Sequence, residues 1–146
     1  MTELGHVVLY VKELKRSVEF YTNIVGLETV ATVFNGRAAA LTGGRTHHEL
    51  LLIEVGNAPP PPAGHRLGLY HIGWKIGDDL QTLRRKLALI EEHQVPLDGM
   101  SDHTISQSLY IRDPDGNEIE LYVDDPQVDW RNDHDWVRQP VKPLRL

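Results

Sequence analysis

The sequence predicts an α+β fold in which a strand-helix-three-strand (βαβββ) module occurs twice. Two observations carry that expectation. An alternating apolar strand followed by an amphipathic helix runs from Gly5 to Val25 and again from Tyr70 to His93, and three further strand-like segments follow each time. Between the two lies Asn57 to Gly64 (NAPPPPAG), whose four consecutive prolines favour an extended spacer and cannot supply ladder donors. Residues 1–125 therefore read as one domain with modules at 4–56 and 68–125 and a linker at 57–67, followed by a tail at 126–146.

In the first module, Gly5 to Val11 (GHVVLYV) is rich in β-branched and apolar residues. Lys12 to Val25 then spaces Leu14, Val18, Tyr21 and Val25 at helical intervals, with Gly26 placed to end the helix. Strands are expected at Glu28 to Phe34, Arg37 to Leu41 and His48 to Val55, and Asn35-Gly36 is a hairpin turn between the first two. The second module opens with Tyr70 to Ile76 (YHIGWKI), and its helix spans Asp79 to His93 with Leu80, Leu83, Leu87 and Ile90 on one face. Its remaining strands are expected at Val95 to Leu97, Gln107 to Arg112 and Asn117 to Val123, with Asp113 to Gly116 as the last turn. The polar tail carries Trp130 and Trp136, whose rings either pack on the domain or cover a cleft.

A chain of 146 residues with 40% apolar residues has enough material for one sizeable core. A net charge of −6 argues against non-specific nucleic-acid binding, which needs a basic surface. With no cysteine, disulfides, thiolate ligands and cysteine nucleophiles are excluded, so a metal site must be built from His, Asp or Glu. No stretch approaches the roughly 20 apolar residues of a membrane span, and Met1 leads into a strand without signal-peptide features. A cytoplasmic location is expected, with no membrane partner.

Strand parity sorts the side chains. Val7, Leu9 and Val11 oppose His6, Val8 and Tyr10; Leu51, Ile53 and Val55 oppose His48, Leu50, Leu52 and Glu54, the odd-numbered set being assigned to the helix side. Ile72, Trp74 and Ile76 oppose His71, Gly73 and Lys75, and Ile119, Leu121 and Val123 oppose Glu118, Glu120 and Tyr122. Each of His6, His48, His71 and Glu120 thus falls away from the apolar helix side, in a first or last strand of its module. A single histidine there is ordinary, and a half-solvated antiparallel sheet alternates in the same way. Four metal-competent or titratable residues at matched positions point instead to one shared site, since imidazole and carboxylate are what a divalent ion needs.

Over residues 4 to 125 the chain resembles the vicinal oxygen chelate superfamily, which includes glyoxalases, bleomycin-resistance proteins and extradiol dioxygenases. The resemblance rests on GHVVLYV followed by ELKRSVEFYTNIVGLE, on YHIGWKI and, most specifically, on YIRDPDGNEIELY. It implies an open, incomplete β-barrel around a metal cleft, with metal ligands His6, His71 and Glu120. THHELLL resembles the extradiol segment whose histidine lies beside the metal, which implies a catalytic role for His48; Tyr110 matches an active-site tyrosine, and His103 is near the place of a further catalytic histidine. His47, the rival of His48, is expected to be structural or exposed.

Within that superfamily the chain resembles single-domain catechol 2,3-dioxygenase-like members. The resemblance therefore implies extradiol cleavage of a catechol-like aromatic by O2, with Fe(II) as the expected metal and Mn(II), Ni(II) or Zn(II) as alternatives. A homodimer is expected, because pocket walls that a second domain supplies elsewhere must come from the tail, a loop or another subunit. Two other readings stay open. One is a lyase or isomerase of the glyoxalase or epimerase type, for which Glu49 is adjacent to the needed ligand position but of the wrong parity. The other is a small-molecule-binding protein of the resistance type that works without metal.

Overall fold

The computed structural model describes every residue from Met1 to Leu146. Two compact units are formed, one of residues 1–65 with 113–116 and the other of residues 66–112 with 117–146. The first holds β1 (Val7–Val11), α1 (Leu14–Phe20), β2 (Glu28–Val33), β3 (Ala38–Thr42) and β4 (Leu50–Glu54). Its sheet has the order β1-β4-β3-β2, with β1 parallel to β4 and the other pairs antiparallel. The second holds β5 (His71–Gly77), α2 (Leu80–Glu92), β6 (Gly99–Asp102), β7 (Ser106–Arg112), β8 (Glu118–Asp124) and β9 (Lys142–Pro143). Its sheet has the order β5-β8-β7-β6-β9 and repeats the parallel pairing of first and fourth strands, β5 with β8. Each unit thus carries the βαβββ order, and the chain is α+β with two open sheets.

In the first unit α1 begins without a capping side chain of its own; instead the Leu14 N–H donates to Glu54 Oε2 of β4 at 2.8 Å. The helix runs on as a π-helical turn, Tyr21–Val25, and stops at Gly26, whose φ of 103° is a conformation only glycine adopts cheaply. The N–H groups of Gly26 and Leu27 both donate to the Tyr21 carbonyl, at 3.1 and 2.9 Å. In the β2–β3 turn Phe34, Asn35 and Gly36 all have positive φ. That pattern places Asn and Gly where the hairpin needs them and carries Phe34 outward, 56% exposed.

The side assignment of β4 needs correction. Leu50 and Leu52, not Leu51 and Ile53, are the fully buried residues on the helix side, in register with the buried Leu41 and Ala39 of β3. Parity failed because residues 48 and 49 are not in the strand. The Glu49 carboxylate instead accepts from the Gly43, Arg45 and Thr46 N–H groups and from Thr42 Oγ1, at 2.8 to 3.2 Å, which bends the chain ahead of Leu50.

In the second unit Asp79 caps α2, its Oδ1 accepting from the Thr82 N–H at 2.8 Å. Leu83 and Ile90 of α2 are fully buried, as are Leu109, Ile111, Ile119, Leu121 and Val123 of β7 and β8. Each such side chain contributes roughly 1.5–3 kcal/mol of hydrophobic stabilisation, and together they hold the opposite face of the sheet in place. The strand expected at Val95 to Leu97 is displaced to Gly99–Asp102. Gln94 turns the chain with a φ of 54° and Pro96 has no N–H, so pairing to β7 starts only at the Asp98 N–H, which donates to the Tyr110 carbonyl at 2.8 Å.

The tail is tied down by β9, where Lys142 and Pro143 pair with Asp102 and Ser101. Trp136 is half-buried, whereas Trp130 is 52% exposed with the Arg131 guanidinium 4.1 Å over its ring. Trp130 also walls a cavity of about 420 Å³ with Lys75, Ile105 and Asp124 among its lining. No helix is long and apolar enough to cross a membrane.

Candidate functional site

In the second unit, alternation and register together assemble a polar cluster. β5 and β8 run parallel with His71 opposite Glu118 and Gly73 opposite Glu120, while β7 sets Tyr110 opposite Glu120. The apolar alternates of these strands are buried on the α2 side, so His71, Glu118, Glu120, Ser108 and Tyr110 share the other face. Gly73 keeps that face open. A Cβ there would meet Glu120 Oε2 at 3.3 Å and Tyr122 Cε1 at 3.4 Å.

Glu120 is held at both oxygens. Its Oε1 accepts from Ser108 Oγ at 2.6 Å and from the Tyr110 hydroxyl at 3.1 Å, and its Oε2 lies 3.1 Å from His71 Nε2. The far nitrogen of His71, Nδ1, is 2.9 Å from Glu118 Oε2. His103 Nε2 is 2.8 Å from the Tyr110 hydroxyl, so with the phenol proton on Glu120 the imidazole N–H donates to the phenol oxygen. Burial, then the charge of Glu120 and the hydrogen bond to it, push Tyr110 up to about 12, which keeps it a proton-bearing donor at neutral pH.

The first unit carries a group of histidines of its own. His6, just ahead of β1, stacks on His48, just ahead of β4, with ring centroids 4.7 Å apart. His47 is exposed and lies against His48 with ring centroids 4.4 Å apart, its Nδ1 hydrogen-bonded to His48 Nδ1. Partial burial, then the proximity of His47 and His6, push His48 below its ordinary 6.5, favouring the neutral imidazole. For Glu49, burial acts upward, but the hydrogen bonds from Gly43, Thr42, Arg45 and Thr46 outweigh it and hold the carboxyl below its usual range. That carboxylate is committed to its loop.

The expected site residues therefore fall into two groups: His71, Glu120, Tyr110 and His103 in one unit, His6 and His48 in the other. Within neither unit do three His, Asp or Glu side chains converge on one ion-holding point. The pair in the second unit does fit a metal edge. Donors bonded to one ion at about 2.1 Å and at right angles stand about 3 Å apart, and His71 Nε2 and Glu120 Oε2 are 3.1 Å apart. Ser108 and Glu118 were not singled out from sequence as site residues. Their signal was present, because both share the parity of the candidate residues.

The chain is similar in sequence and fold to known proteins. A family model described as the glyoxalase/bleomycin resistance protein/dioxygenase superfamily matches residues 3–121. A glyoxalase/dioxygenase from Nostoc punctiforme has a similar fold, with a TM-score of 0.73 over 84% of this chain and 90% of that one at 24% identity. The chain belongs to the glyoxalase/bleomycin resistance/dioxygenase superfamily. Among its relatives is the catechol-2,3-dioxygenase of Bacillus subtilis (strain 168), 35% identical over 92% of this chain and 46% of that protein. The chain thus spans about half the length of that relative. The metallothiol transferase FosB of Staphylococcus epidermidis is 30% identical over 84% of this chain and 82% of its own. Members of the superfamily use divalent metals.

Proposed function

We propose that the protein is an Fe(II)-dependent extradiol-type dioxygenase acting on a catechol-like aromatic, with His6, His71 and Glu120 as the metal ligands. Bound there, Fe(II) would supply Lewis acidity toward the diol and a redox partner for O2, the chemistry that a two-histidine, one-carboxylate set supports. The observation that carries the dioxygenase reading is the identity of the group beside His6. It is the imidazole of His48, while the neighbouring carboxylate of Glu49 is occupied by four hydrogen bonds from its own loop. A lyase or isomerase of the glyoxalase type, which would use a carboxylate there as a further ligand, is disfavoured by the same fact.

In this reading the chain's own groups have distinct tasks. His48, kept neutral, accepts a proton from a catechol hydroxyl and returns it during ring opening. Tyr110 stays protonated and, when substrate binds, turns its one O–H from Glu120 Oε1 to a substrate oxygen, while the His103 N–H keeps donating to the phenol oxygen. Ser108 holds Glu120 by one oxygen so that the other remains directed to His71. The substrate ring and O2 are the partners, in a cytoplasmic homodimer whose neighbouring copy or tail completes the pocket walls.

Anaerobic reconstitution with Fe(II), followed by air and a panel of substituted catechols, tests the proposal. Oxygen uptake in step with a yellow ring-opened product is expected. Absence of uptake, with catechols leaving the spectrum of the bound iron unchanged, would overturn it. Turnover of a hemithioacetal with Ni(II) or Zn(II) and no oxygen consumption would assign the lyase reading instead.

A further inference from the structure

We propose that Glu118 is a positioning residue for His71, holding the imidazole proton on Nδ1 so that the Nε2 lone pair is presented beside the Glu120 carboxylate. The proposal rests on the reading of His71 and Glu120 as metal ligands. His71 lies between two carboxylates, with Glu118 Oε2 at 2.9 Å from Nδ1 and Glu120 Oε2 at 3.1 Å from Nε2. A neutral imidazole has one N–H and can satisfy only one of them.

The surroundings decide which. Glu120 already receives hydrogen bonds from Ser108 and Tyr110. The Glu118 side chain is only 17% exposed, and its other oxygen, Oε1, forms an ion pair with Arg112 Nη2 at 3.9 Å. A largely buried carboxylate oxygen, Glu118 Oε2, gains a direct hydrogen bond from the imidazole N–H, and the shorter of the two distances is on its side. Nε2 and Glu120 Oε2 then face each other as two electron-rich atoms at the spacing of neighbouring ligands on one ion. A cation between them relieves that opposition, and the carboxylate behind the ring strengthens the nitrogen as a donor. His6 is flanked by the imidazole of His48 instead. The two ligand histidines are thus unequal, and the hold on the metal is concentrated in the second unit.

The test uses the protein labelled with ¹⁵N at histidine, metal-free and at about pH 9, where an ordinary imidazole is neutral. Long-range ¹H–¹⁵N spectra should place the His71 proton on Nδ1 in the wild type. Glu118→Gln retains an oxygen acceptor and should keep that tautomer, whereas Glu118→Ala should transfer the proton to Nε2, where Glu120 is the remaining acceptor. Chelator competition with Co(II) should show affinity about 10–100-fold weaker for Glu118→Ala and a smaller loss for Glu118→Gln. A wild-type proton on Nε2, or a tautomer unchanged in Glu118→Ala, would overturn the proposal. Failure of the wild type to bind Co(II) at all would overturn the ligand reading, while the tautomer spectra would still decide the part played by Glu118.

Discussion

Replacing Tyr21 by Phe should destabilise the protein without altering its metal binding. The Tyr21 ring is fully buried, packs edge-on to Phe20 at 5.1 Å, and donates its hydroxyl proton to Asp113 Oδ2 at 2.7 Å. Asp113 is itself 5% exposed and uses Oδ1 to accept from the Asp115 N–H at 3.0 Å, so one carboxylate ties the end of α1 to the Asp113–Gly116 turn. Burial first, then the charge of Asp113 and the hydrogen bond to it, keep this phenol protonated far above the usual range. The substitution leaves ring packing intact and removes only a hydrogen bond to a charged, buried acceptor, for which about 2 kcal/mol is expected. Unfolding entropy of about 2.1 cal/mol/K per residue gives about 0.3 kcal/mol/K for this chain, so the melting temperature should fall by about 6–7 °C. Calorimetry on wild type and Tyr21→Phe, with Co(II) affinity as control, reads both quantities. A fall of less than about 1 °C would refute the assignment of that hydrogen bond as a structural anchor.

Two further outcomes follow from the first unit. His48→Ala should retain the metal but lower kcat by about 10²- to 10⁴-fold, the range for loss of a general acid-base group, as read by oxygen uptake at matched iron content. Glu49 has a folded value below its ordinary 4.5, so the unfolded chain binds more protons in that window and stability falls as pH drops from about 4.5 through the folded value. Melting curves between about pH 3 and pH 6 should therefore decline toward acid in the wild type. Glu49→Gln should start lower and slope less, and an unchanged slope would sink the account of this loop.

What could be seen in the sequence depended on how regular the backbone was. Along β5 and β8 the apolar alternates Ile72, Ile119, Leu121 and Val123 are buried as parity requires, and His71 and Glu120 lie on the other side. Around His48 the same rule misassigned β4, because the Glu49 carboxylate, immediately before the strand, makes loop hydrogen bonds that no periodicity records. Val95 to Leu97 was read as a strand from its apolar residues, yet Pro96 cannot donate and the ladder starts later. Glu118 was legible in position and not in role. A second carboxylate on an alternating face looks like solvent exposure until the parallel register sets it opposite His71.

The pairing of β9 with β6 bears on how this protein behaves at high concentration. An open sheet edge offers unpaired N–H and C=O groups to any passing strand. At the β6 side of the second unit's sheet the outermost strand is only Lys142–Pro143, both exposed, so that edge is short, positively charged and lacks one of its donors. Two residues of tail thereby act as a terminator for sheet growth on that side, covering the longer β6 edge and giving a chain that arrives there little to extend.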